Sequence, residues 1–200
     1  IDVDFDTYDF GDAPASYATS SADNGPRHLI VAGFYLGSGV DNEWDGQPTA
    51  AADGDDSAGS DDEDGVVFLE TMSPGHPTDI QVTASAAGML DAWIDFGGDG
   101  DFSDASDHVL PGEPLVAGVN NLTIRIPVGA VVGATYARFR YSSAGGLSFN
   151  GPAADGEVED YAVEIVPSGE IHGTVWHDVN TDGTRGTAEP GLAGWPVFLD

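Results

Sequence analysis

Apolar residues fall on every second position in run after run of this chain, and no run repeats at a helical interval. Ile80, Val82 and Ala84 form one stripe. Leu90, Ala92, Ile94 and Phe96 form the next, with Trp93 on the opposite side. Leu122, Ile124 and Ile126 alternate with Thr123 and Arg125; Ala137, Phe139 and Tyr141 alternate with Tyr136, Arg138 and Arg140. Tyr161, Val163 and Ile165 follow. Ile1, Val3 and Phe5 open the chain in the same way, and Val175, Val197 and Leu199 close it. Successive side chains of a strand point to opposite faces, so each stripe reads as the buried face of a strand. Gly, Pro, Asp and Ser clusters separate the runs. The pattern predicts an all-β chain: an antiparallel, jelly-roll-like β-sandwich with long acidic loops.

Pro167-Ser168-Gly169 reads as a boundary. Residues 1–166 are long enough for one sandwich domain, and residues 167–170 are a linker. Residues 171–200 are too few for a core of their own and are expected to form a partial second β module. The chain starts at Ile1, which suggests a processed or excised segment of something longer.

Charge sets the second constraint. The 200 residues carry 35 acids against five Arg, with no Lys and no Cys, for a net charge of -30. Such a surface repels nucleic acid and anionic membranes. No apolar run is long enough to span a bilayer. Without Cys there is no disulfide, and without Lys no Lys–Asn isopeptide bond can form within the chain. Bound cations are the staple that remains.

Where those cations would sit is written in spacing. Asp178-x-Asn180-x-Asp182-Gly183, followed by Glu189, fits the twelve-residue calcium-loop pattern. Calcium takes about six to eight oxygens. Asp178, Asn180 and Asp182 supply side-chain oxygens, Thr184 a carbonyl, and Glu189 closes the shell. A second, degenerate loop offers Asp95, Asp99, Asp101, Asp104 and Asp107, with Gly97 where a ligand would stand. A third cluster joins Asp41, Glu43 and Asp45 to Asp61, Asp62 and Asp64, which abut the strand Val66-Val67-Phe68. Acid runs are ordinarily solvated faces, but these sit in Gly-rich turns anchored to strands.

Catalytic constellations are missing. There is no nucleophile elbow, no Cys nucleophile and no phosphate-binding glycine loop, and the chain is read as a non-enzyme. His28, His76, His108, His172 and His177 are scattered, and the last two point to opposite faces of one extended run, which disfavours zinc. Arg138 and Arg140 share a strand face and are expected to pair with carboxylates of the Glu157–Asp160 segment or the acidic loops. Arg27 and His28 could neutralise a nearby carboxylate. A different class of function, a carbohydrate-binding module, would use Trp44, Trp93, Trp176 or Trp195 as a stacking platform.

Gly156-Glu157-Val158-Glu159-Asp160-Tyr161 enters the last strand of the large domain. Six further motifs accompany it in order: Phe10–Pro14, Gly25–His28, Tyr35–Ser38, Asp61–Gly65, Ala92–Phe96 and Tyr136–Arg140. Together they resemble the GEVED domain family over about residues 8–166. Gly97 departs from the Asn expected in that family's calcium-loop-like turn. Gly173–Asp178 and Pro190–Gly194 resemble the first third of the B-type repeat of serine–aspartate-repeat adhesins, a calcium-binding β-sandwich module. The resemblance implies a secreted or surface protein of bacteria and a structural part in a stalk, fibre or adhesin. Partners would be copies of the chain, neighbouring domains of a longer surface protein, or glycans. Open strand edges at residues 1–6 and 171–200 would allow head-to-tail strand addition into a filament.

Overall fold

The structure, a computed structural model, describes residues 7–54, 62–169 and 173–196. It divides into two compact units, Ile1–Pro167 and Ser168–Asp200. The alternating runs at Ile1–Phe5 and at Val197 and Leu199 lie outside the described residues, as do Asp61 and His172.

In the first unit, the stripes become strands. A four-stranded antiparallel sheet runs β10 (Glu157–Ile165), β8 (Gly133–Ser142), β5 (Gly88–Ile94), β6 (His108–Leu115). Facing it is a three-stranded antiparallel sheet of β3 (Val66–Phe68), β4 (Pro77–Ala84) and β7 (Gly118–Arg125). Ile80, Val82 and Ile124 from one sheet pack with Leu90, Ile94, Phe139 and Ile165 from the other. Leu90, Ile94 and Phe139 are fully buried, and burying each such side chain stabilises by about 1.5–3 kcal/mol. This is the β-sandwich that the alternation predicts.

The outer face of the four-stranded sheet is also covered. Trp93 and Tyr136 leave the sheet on that side and meet Ala13, Tyr17, Phe102 and Phe149. Tyr17 packs against both Phe102 and Tyr136, with ring centroids 4.7 Å and 5.1 Å apart. A small third sheet joins β1 (Tyr8–Phe10) antiparallel to β2 (Arg27–Leu29) and β2 parallel to β9 (Pro152–Ala153). Described residues before β3 therefore pack against β8 and β10, so residues far apart in sequence reach the start of β10.

Two departures from the sequence pattern have physical causes. β6 carries Pro111, Gly112 and Pro114, which break alternation. It is an edge strand with register shifts against β5, and an edge or bulge is where a missing N–H does least harm. In the second unit, the expected strand at Val175 is only a single antiparallel bridge, Trp176 to Gly191. Val175, Val179 and Trp195 are exposed there, so among the described residues no apolar face is buried to hold a sheet.

Candidate metal centres

Asp178, Asp182 and Glu189 converge. One carboxylate oxygen from each lies within 4.8 Å of the others. The turn that gathers them is built from backbone donors. Asp182 N and Gly183 N donate to Asp178, at 3.2 and 2.9 Å. Thr184 donates through N and Oγ1 to Asp182 Oδ1. Thr181 and Gly183 both have positive φ, 59° and 75°, which glycine adopts freely and Thr does not. Glu189 is buried and accepts from Val179 N and Gly186 N. Asn180 donates to Asp182 Oδ2. Three carboxylates so placed offer hard oxygen donors to a metal ion.

The Asp95 loop is organised around Gly97. A Cβ there would lie 3.5 Å from Asp99 Cγ and 3.6 Å from both Asp104 Oδ2 and Asp95 Oδ1. These are ordinary contact distances, so the three carboxylates surround the position without requiring glycine there. Asp95 accepts from Gly98 N, Gly100 N and Tyr17 Oη. Asp107 accepts from Phe96 N at 3.1 Å, while its Oδ2 is buried without a hydrogen-bond partner. Burial, with Asp95 and Asp104 nearby, pushes its carboxyl up to about 6. Asp101 turns away to cap Ser103 N.

The third cluster divides. Asp62 Oδ2 accepts from Asp41 N at 2.9 Å, and Glu43 Oε2 accepts from Phe10 N at 2.9 Å. Asp45 is exposed and caps Ser21 N and Gly46 N, away from the others. Asp64 is taken by Ser38, through N at 2.8 Å and Oγ at 2.5 Å.

Beside these lies an acidic segment whose burial the sequence did not announce. Glu157, Glu159 and Asp160 at the start of β10 are each no more than 1% exposed. Asp160 faces the outer layer. Arg138 Nε and Nη2 grip it at 2.7 and 2.8 Å, and Asp12 N and Ala13 N donate to the same carboxylate. Glu157 and Glu159 face the opposite way. Leu36 N donates to Glu157 Oε2, and Gly65 N to Glu159 Oε1 at 2.8 Å. Gly156 precedes them at φ 95°, where a Cβ would overlap the Tyr141 carbonyl.

Residues 89–164 match the GEVED domain. The matched span runs from β5 into β10 and contains the acidic segment after which the domain is named. The motifs at Phe10–Pro14, Gly25–His28, Tyr35–Ser38 and Asp61–Gly65 lie outside it. The GEVED domain is found in bacterial extracellular proteins. No curated protein and no solved structure matches the chain.

Two expectations about the GEVED region's cations come out differently. Arg138 does pair with Asp160. Among the described residues Arg140 pairs with no carboxylate: its N–H groups go to His28 Nε2 and to the carbonyls of Ser148, Asn150 and Gly151. His28 therefore accepts at Nε2 and donates from Nδ1 to the Asp155 carbonyl, which fixes a neutral ring. Burial and then the Arg140 charge hold its pKa well below the ordinary value. The unfolded chain takes up this proton below about pH 6.5 and the fold does not, so stability complete above that pH is lost as pH falls. Gln at this position keeps an acceptor for Arg140 and cannot titrate. The stability of wild type relative to H28Q is expected to fall by about 1.4 kcal/mol per pH unit below pH 6.5. Parallel pH profiles of the two proteins in urea melts would contradict the assignment.

Proposed function

We propose that this chain is a calcium-stabilised structural module of a bacterial extracellular protein, serving a surface fibre, stalk or adhesin rather than catalysis. The observation that carries the reading is the convergence of Asp178, Asp182 and Glu189 within 4.8 Å in a loop whose spacing suits calcium. The GEVED match supports the extracellular setting. The mechanism is linkage: an ion that binds the folded loops and not the unfolded chain stabilises the fold. With about 1 mM calcium and a Kd of about 0.1–1 mM, each site contributes roughly 0.4–1.4 kcal/mol.

The carbohydrate-binding alternative is weakened by its aromatics. Trp93 is 3% exposed, stacked on His108 at 4.5 Å, and offers no platform. Trp44 is 90% exposed in the same unit, where Trp93 is buried. Filament formation by strand addition would use residues 1–6 or the C-terminal run; residues 1–6 and 197–200 fall outside the described residues.

Asp182→Ala tests the loop directly. Hydrogen exchange in calcium is expected to rise across residues 174–196 and to stay unchanged around Trp93, because the two units are separately compact. Unchanged exchange in residues 174–196 would remove the loop from the account, and loosening of both units would contradict their independence.

A further inference from the structure

The Trp44 indole stands in water although the backbone on both sides of it is pinned to the domain. Before it, Glu43 N donates to the Tyr8 carbonyl at 2.9 Å, and Glu43 Oε2 accepts from Phe10 N at 2.9 Å. After it, Asp45 Oδ1 accepts from Ser21 N at 2.6 Å and from Gly46 N at 2.9 Å. Gly46 lies so close to the Thr19 backbone that a Cβ would stand 2.2 Å from its carbonyl oxygen. Thr49 N donates to the Asp12 carbonyl at 3.0 Å. The ring therefore projects from a fixed stretch of backbone, and a partner that covered it would pay little to order the loop. Large, exposed, pre-positioned tryptophans are the residues that anchor protein interfaces.

The surroundings of the ring select what covers it. Asn42, Glu43, Asp45, Gly46 and Gln47 line a shallow cavity of about 350 Å³ with Trp44. Asp45 is exposed beside the indole, and among the described residues no Arg forms an ion pair with it. Among the described residues the guanidinium that stands over a ring is that of Arg138, over Phe102, so the Trp44 face has no cation of its own chain. Indole is the best side chain for holding a cation over its face, within about 6 Å of the ring centre. A net charge of -30 draws basic partners to this surface and repels acidic ones, a second copy of the chain included. A neutral sugar would stack on the same ring but gain nothing from that charge.

We propose that Trp44, with Asp45 beside it, is the docking point for a Lys or Arg side chain of a basic partner protein. The cation lies over the indole, and the Asp45 carboxylate complements its charge. This goes beyond the calcium reading and does not depend on it, because the anchors of Trp44 are hydrogen bonds within the first unit.

The test follows the indole N–H resonance of Trp44 in the full chain, assigned with W44A, at fixed calcium and ionic strength. The probes are a short blocked peptide containing Lys, the same peptide with that Lys acetylated, and a chitin oligosaccharide. The Lys peptide is expected to shift the Trp44 resonance and leave that of the buried Trp93 in place, and acetylation is expected to abolish the shift. Binding of the labelled Lys peptide, read by fluorescence anisotropy, should weaken about 5–30-fold in W44A. Asp45→Asn keeps an acceptor for Ser21 N and Gly46 N, and should weaken binding and reduce its dependence on salt. A Trp93 resonance at its wild-type position shows that each variant is folded. Equal shifts with the two peptides, a response to the oligosaccharide alone, or no shift with any probe would overturn the proposal. So would a Trp44 resonance that moves with protein concentration in the absence of peptide, which would give the ring to a second copy of the chain.

Discussion

Asp160→Ala is expected to lower the melting temperature by roughly 6–20 °C, corresponding to about 3–5 kcal/mol for leaving one member of a buried ion pair uncompensated. The size follows from how many groups the carboxylate serves. It holds both forks of Arg138, and it accepts from Asp12 N and Ala13 N, which anchor the N-terminal wrap. Arg138 in turn donates to the Tyr17 and Phe149 carbonyls and stands 5.3 Å over the Phe102 ring. A buried pair can often be exchanged for apolar residues at little cost. Here the double variant R138M/D160L should recover only part of the loss, because four backbone groups would stay without partners. A D160A melt within about 2 °C of wild type would show that the pair does not organise the outer layer.

The sandwich was legible because its core strands obey period two. β4, β5, β7, β8 and β10 each place apolar residues on one parity, and the facing sheets bury that parity. β6 was not legible, since Pro111, Gly112 and Pro114 erase the alternation in a strand that edge pairing tolerates. The small sheet of β1, β2 and β9 was missed because strands of two or three residues carry too little pattern to be read. The acidic segment misled for a different reason. Glu157 and Glu159 share parity with Tyr161, Val163 and Ile165, and that parity was the available sign that they point inward. Acids at inward positions ordinarily argue against burial, and the backbone donors that hold them, Leu36 N and Gly65 N, come from far away in the sequence. The convergence of Asp178, Asp182 and Glu189 was legible because the three lie within twelve residues of one another.

The acidic loops bear on one property. A chain of net charge -30, without Lys or Cys, has no covalent staple or dense cation set to hold its acidic loops together. Removing bound calcium should therefore cost about 1–4 kcal/mol if three sites of ordinary extracellular affinity are filled. That is a large share of the reserve of a domain whose total stability is about 5–15 kcal/mol. It translates into a fall in Tm of roughly 2–16 °C. General screening of repulsion would mimic part of this effect, so ionic strength must be held fixed.

The most direct test is a melt of the full chain in excess chelator and in about 1 mM calcium or magnesium at equal ionic strength. The account predicts a lower Tm in chelator, restored by calcium and restored less by magnesium. Identical melts in all three conditions would contradict it.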